Sequence, residues 1–152
     1  MQFKRIPSPK GRLPLPPSRA SLEAAGYDLE ANLDETVVVK SGDRVKIPTG
    51  IAINMKRTGI PGATRVALVF PRSGLGSRGI ILSNSVGVID ADYQGEIFLF
   101  MWNASSGPKT LDPGNRIAQL VVTMAQTPFL EEVTEFTEQT QRGAGGFGST
   151  GV

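Results

Sequence analysis

A chain of 152 residues with 39% hydrophobic and 20% charged side chains has the make-up of one globular domain with a modest core. Lys+Arg 16 against Asp+Glu 14 leaves a net charge of +2, which gives no electrostatic ground for nucleic-acid or membrane binding. Cysteine and histidine are both absent, which excludes disulfides, thiolate metal sites, cysteine nucleophiles and imidazole bases, so acid–base chemistry falls to Asp, Glu, Lys or Tyr.

Residues 1–20 open with Phe3, Lys4, Arg5 and Ile6 and continue through Pro7, Pro9, Pro14, Pro16 and Pro17. Proline lacks a ladder donor and blocks helix interiors, so an edge strand leading into an extended surface arm is expected. Ser18 to Ala25 is a candidate short helix. Strands are predicted over Thr36–Val39, Arg44–Pro48, Ile51–Met55, Arg65–Phe70, Gly79–Leu82, Ile97–Trp102, Ile117–Met124 and Phe129–Thr137, with a short helical turn after Arg72. Ile97–Trp102 is continuously apolar, as in a strand buried on both faces. Glycine and proline pairs such as Pro61-Gly62 and Pro113-Gly114 punctuate the gaps, and many short strands at this spacing predict an all-β sandwich or jelly roll. No segment approaches the ~18 apolar residues of a membrane span and no apolar signal core opens the chain, so a soluble cytoplasmic protein is expected.

The composition changes at Arg142. Five of the last ten residues are glycine, and Arg142, Phe147, Ser149 and Thr150 stand among them. Such a segment buries too little to order itself. Glycine-rich backbone can converge its N–H groups on an anion, arginine forks phosphate, and an aromatic face stacks on a base. Residues 142–152 therefore suit a nucleotide lid, against the alternative of a solubilising tail. The G-x-G-x-x-G formed by Gly143, Gly145 and Gly148 has neither the strand before it nor the helix after it that a dinucleotide fingerprint needs.

Four further segments carry chemistry. Gly87–Ile97 places an acidic turn between apolar residues, which predicts a hairpin whose two arms form a slot. Asp90, after two β-branched residues, is expected at the slot's floor, partly shielded from water and poised as a general base. An ordinary Asp-rich turn fits the same segment. Arg72-Ser73-Gly74 follows a strand and suits phosphate contact at a helix start, or a plain strand-ending turn. Asp28 could hold a hydrated Mg²⁺, which takes oxygen ligands and keeps several waters, or be a turn residue. Gln119 needs a partner if its amide points inward, and Arg116 is free to pair with a carboxylate or to remain solvated.

In this order AGYDL (25–29), PRSGL (71–75), GVIDADYQG (87–95), GNRIAQL (114–120) and RGAGGFGSTG (142–151) resemble the five motifs of the homotrimeric dUTPase family. The resemblance runs from residue 25 to 151; the third and fifth motifs are the most specific. Asn115 departs from it, standing where the family more often has an acid. The resemblance implies a jelly-roll (β-clip) subunit over residues 1–141 and a flexible arm over 142–152. It implies a homotrimer whose sites each draw on three chains, and hydrolysis of dUTP to dUMP and pyrophosphate with Mg²⁺, which limits uracil in DNA and supplies dUMP for dTTP synthesis. By residue, it implies Asp90 as the base activating water, and Tyr93 as the platform under deoxyribose. Asn84 and the backbone near Val88, Ile89 and Phe98 would be the uracil-reading edge. Arg72, Ser73, Gly74 and Gln119 would contact phosphates, and Asp28 would hold the Mg²⁺ waters. Arg142 with Gly148, Ser149 and Thr150 would form the terminal-phosphate clamp, and Phe147 the lid. A dCTP deaminase on the same scaffold would need a glutamate within the strand Ile97-Phe98-Leu99-Phe100, which has none; Glu96 is at the wrong step. A non-catalytic regulatory protein on the scaffold is the other alternative.

Overall fold

A computed structural model describes residues 1–146. Ten strands and one short helix run in the order β1 (Gln2–Arg5), β2 (Tyr27–Glu30), β3 (Val37–Val39), β4 (Arg44–Asn54), β5 (Ala63–Pro71), α1 (Ser73–Gly76), β6 (Ile80–Leu82), β7 (Gly87–Asp90), β8 (Glu96–Asn103), β9 (Lys109–Leu111) and β10 (Arg116–Gln126). They form two four-stranded sheets, β1-β4-β8-β6 and β2-β10-β5-β7, and a two-stranded ribbon, β3-β9. Every ladder is antiparallel. The fold is an all-β sandwich of the jelly-roll class, as expected. Among the described residues no helix is long and apolar enough to cross a membrane.

The alternation of each strand decides its inner face. On β8, Ile97, Leu99 and Met101 are buried, and they meet Ile47, Ile51 and Ile53 of β4 and Leu29, Ala67, Val69, Ile117 and Leu120 of the other sheet in one core. The opposite face of β8 is open: Phe98 and Phe100 are exposed, so this strand is not buried on both sides within one chain.

Arg44–Pro48 and Ile51–Met55 fuse into the single strand β4. The register slips between Pro48 and Ala52, and the bulge lets the strand continue with a bend. Gly50 supplies the turn there with φ 64, and a Cβ on it would collide with Asn32, the Ile6 carbonyl and Pro14. Its N–H is taken by the Glu96 carboxylate at 2.7 Å, and buried Thr49 donates its hydroxyl to the Ile97 carbonyl at 2.7 Å. The bulge is thereby left with its polar groups satisfied.

Three further expectations fail. Ser18–Ala25 forms no helix: Ser18 bridges Asp28 and Leu22 stands in solvent, because so short a segment with no apolar stripe cannot offset helix nucleation. Phe129–Thr137 forms no strand, and Phe129, Leu130 and Phe136 are almost fully exposed. Within one chain that segment meets no sheet edge, so its ladder groups have no partner, and the last strand ends at Gln126. β7 and β8 do not pair as a hairpin: β7 pairs with β5 and β8 with β4 and β6. β2 and β9, three or four residues of mixed polarity, were legible only through their ladder partners.

The proline-rich arm after β1 is pinned by polar groups. Glu30, buried on β2, takes the Arg12 guanidinium and the Leu15 N–H. Asn32 accepts from Arg12 at 2.9 Å and donates to the Ile6 carbonyl at 3.0 Å. Arg12→Ala would strand the Glu30 carboxylate without its cation. A loss of about 3 kcal/mol is expected, read as a lower urea midpoint at fixed protein concentration; an unchanged midpoint would show that the clamp contributes nothing.

Candidate active site

Two groups of predicted residues are assembled by the sheets. The first lies where β2, β10 and the end of β5 adjoin. Gln119 of β10 faces Asp28 of β2 directly, and Pro71 of β5 faces Ala118. Paired residues project from the same face, so Asp28 and Gln119 share a surface, and Arg72 comes off the end of the third strand beside them. Arg72 Nε lies 3.1 Å from Asp28 Oδ1, and Arg116 Nη1 lies 3.1 Å from Asp28 Oδ2. Asp28 is therefore no turn residue. It sits on a strand with its side chain 13% exposed and both oxygens engaged by guanidinium groups. Gly26 has no Cβ where one would stand 2.8 Å from Gln119 Oε1, so the glycine leaves room for that side chain. Ser73 and Gly74 are exposed and open α1, with the Leu75 and Gly76 amides returning to the Arg72 carbonyl. The opening N–H groups of a helical turn have no helical partner, which suits an anion.

The second group lies where β7 and β8 part. A cavity of about 260 Å³ is lined by Val88, Ile89, Asp90, Tyr93 and Phe98, all predicted, together with Lys46, Glu96, Ile97 and Phe100. Because its arms belong to different sheets, the segment makes a slot by splaying rather than by pairing. Asp90 ends β7 and lines this cavity but is exposed, not shielded at a floor. β7 is a sheet edge, and one chain puts no further layer over it. The chain turns at once, with the Tyr93 N–H donating to the Asp90 carbonyl at 3.1 Å. Tyr93 folds back over Gly95 and donates its hydroxyl to the Glu96 carbonyl at 2.8 Å; a Cβ on Gly95 would stand 2.6 Å from that hydroxyl.

Lys46 was missed from sequence. Its ammonium sits 3.8 Å from the centre of the Phe98 ring, placed there by the β4–β8 register that sets Lys46 opposite Phe100. Its polar position between Val45 and Ile47 was the available signal. Asn84 lies on the turn before β7, donating to the Val86 carbonyl at 3.4 Å, and is not among the cavity's lining residues. Arg142 is exposed and donates to the Gly145 carbonyl at 2.9 Å, within its own segment. Phe147, Gly148, Ser149 and Thr150 lie outside the described residues. A larger cleft of about 340 Å³, lined by Phe3, Lys4 and Gln94 among others, holds no carboxylate.

The dUTPase family model matches residues 15–151. The chain belongs to the dUTPase family. It is 47% identical over 136 residues to the deoxyuridine 5'-triphosphate nucleotidohydrolase of Acinetobacter baylyi, covering 89% of this chain and 87% of that protein. The relative of the same name from Polynucleobacter asymbioticus is also 47% identical, over 89% of this chain and 87% of its own. Among solved structures, the dUTPase of Staphylococcus bacteriophage 80alpha with dUPNHPP superposes with a TM-score of 0.82 at 29% identity, over 99% of this chain and 98% of that one. A mutant dUTPase from phage phi11 of S. aureus, described as coordinating a structural Mg(II) ion, has a TM-score of 0.74 at 25% identity, over 90% of this chain and 98% of that one.

Gly95→Ala tests whether the position of the Tyr93 ring matters to the reaction. The added methyl would displace the ring, and kcat/KM for dUTP is expected to fall about tenfold or more, while Tyr93→Phe, which keeps the ring, falls less. Equal activity of the Gly95→Ala and parent enzymes would show that the ring's position is unimportant.

Proposed function

We propose that this dUTPase hydrolyses dUTP to dUMP and pyrophosphate by attack of a water, held by Asp90, on the α-phosphorus, in a site shared between copies of the chain. The observation that carries this reading is the lay-out along β5. Asp90 stands opposite Val66, part-way along that strand, and Arg72 follows the strand's end in extended conformation, six residues on from Val66. Six extended residues span roughly 20 Å. One chain's Asp90 and Arg72 are thus too far apart to serve adjacent phosphates of one nucleotide, whereas the slot of one subunit meeting the phosphate group of another would complete a site. A homotrimer answers this need by symmetry, with the same two patches used at every interface.

Each part then has a physical task. The splayed arms β7 and β8 present fixed backbone groups to a uracil edge, and a tight slot would reject the 5-methyl of thymine and the amino group of cytosine. Tyr93 would lie under the deoxyribose and leave no room for a 2′-hydroxyl. Arg72, the Ser73 and Gly74 region and Gln119 would neutralise and align the triphosphate for in-line attack, where catalysis rests on positioning and charge. Asp90 would orient the water and take its proton. The arm, residues 142–152, would close over a neighbour's nucleotide with Arg142, Phe147, Gly148, Ser149 and Thr150, its ordering entropy offset by that contact.

Mg²⁺ fits this donor set in one way. Among the described residues no group of three or more His, Cys, Asp or Glu gathers to hold a metal directly. A carboxylate offers about four acceptor positions, so Asp28 keeps acceptor capacity for metal-bound water beside its two arginines. When bound, the ion would fix one triphosphate conformer and stabilise the pyrophosphate leaving group. The bacterial relatives suit action in the cytoplasm. For a dCTP deaminase reading, the nearest acid, Glu96, already takes the Gly50 N–H.

Asp90→Asn is expected to lower kcat by about a thousandfold or more while calorimetry still shows dUpNHpp binding; retained turnover would remove Asp90 as the base. The shared site makes a separate demand. Asp90→Asn and Arg72→Gln enzymes, each inactive alone, should regain activity when unfolded together and co-refolded, because mixed assemblies contain some sites with neither defect. Mixtures that stay inactive would place both residues in a site of one chain.

A further inference from the structure

We infer that Asp28 is a positioning residue for substrate charge, and that Arg116, held by it, is a second triphosphate-binding cation beside Arg72. The inference rests on the reading of the Arg72–Gln119 surface as the phosphate site. Arg116 reaches Asp28 along the ladder diagonal. In the β10–β2 ladder Arg116 stands opposite Glu30, and the register shifts between Arg116 and Ala118, so that Gln119 rather than Ala118 faces Asp28. Glu30 and Asp28 are two residues apart on one face of β2, and the Arg116 guanidinium runs diagonally from its place opposite Glu30 to Asp28. Glu30, the acid directly opposite, is already occupied by Arg12.

The two contacts on Asp28 differ in a useful way. Arg72 uses Nε on one oxygen and Arg116 uses Nη1 on the other, both at 3.1 Å. A guanidinium carries five N–H donors. Each arginine therefore commits one edge and keeps the rest, with no further protein partner for either side chain among the described residues. Arg72 is 34% and Arg116 58% exposed, against 13% for the carboxylate between them. Two unit positive charges would otherwise repel across this short span. One carboxylate offsets that repulsion, leaves a net positive charge, and restricts two long side chains before the ligand arrives. Preorganisation of this sort raises affinity by lowering the ordering cost of binding. Gln119, on the same surface, adds a neutral donor.

The test is calorimetric titration of dUpNHpp and of dUMP, each in Mg²⁺ and in EDTA, with steady-state kinetics in parallel. Asp28→Asn and Arg116→Gln should each weaken dUpNHpp binding by about 10- to 100-fold, the loss of one charge-assisted contact, in both Mg²⁺ and EDTA. Both should raise KM more than they lower kcat and leave dUMP affinity within about twofold, because the contacts lie beyond the α-phosphate. The double variant should bind no more weakly than the worse single one, since one residue acts through the other. Arg116 is largely exposed, so Arg116→Gln tests the idea even if Asp28→Asn folds poorly. A defect of Asp28→Asn confined to Mg²⁺ would show that it acts on metal-bound water alone, and unchanged affinity in Arg116→Gln would remove that residue as a ligand; either result overturns the inference. Arg72→Gln separates the two levels. If it too leaves dUpNHpp affinity unchanged, the phosphate surface itself is misassigned.

Discussion

Consecutive strands β7 and β8 are joined by a tight turn, yet each takes its ladder from a different sheet. Most features of the molecule depend on this parting. It holds the two sheets at one corner of the sandwich, and it leaves facing backbone along two arms without a mutual ladder. A strand pair that closed on itself would have spent those N–H and C=O groups on each other. A parted pair keeps them for a planar partner with complementary donors and acceptors, as a nucleobase edge is. The Glu96 carboxylate and the Thr49 hydroxyl stabilise the neighbouring bulge in β4, so the parting does not leave buried polar groups stranded.

The second constraint is electrostatic. A surface meant for a triphosphate needs several cations close together, and close cations repel. Asp28 meets this by binding two guanidinium groups on separate oxygens from a strand between two supports, the N-terminal segment at Ser18 and strand β10. The same logic recurs at Glu30, where a buried acid holds Arg12 and so fastens the proline-rich arm. In both places one carboxylate on β2 organises chain segments distant in sequence, and the short strand that seemed a turn is the element that carries both.

The two halves of the proposed site stand apart along β5, Asp90 opposite Val66 and Arg72 after the strand's end. On the proposed reading that separation leaves neither half a complete site in one chain; apolar side chains such as Phe100, Val88 and Phe136 also stand exposed. The proposed association between copies would cover such surface and bring the two halves together at once.

The amino-acid sequence by itself determined the all-β class, the edge strand at the start, the short helical turn after Arg72, and the chemical types in every motif. These follow from local rules: alternation, proline and glycine placement, and the absence of histidine and cysteine. Tertiary structure decided which residues meet. Whether Asp28 is a turn acid or the partner of two arginines depends on β10 lying between β2 and the end of β5, which no local pattern announces. Whether Gly87–Ile97 closes or parts depends on which strands compete for its two arms, and the exposure of Asp90 depends on a sheet edge having no neighbour. Pairing is a contest among distant segments for the same ladder groups, and its outcome is a property of the whole chain rather than of any window in it.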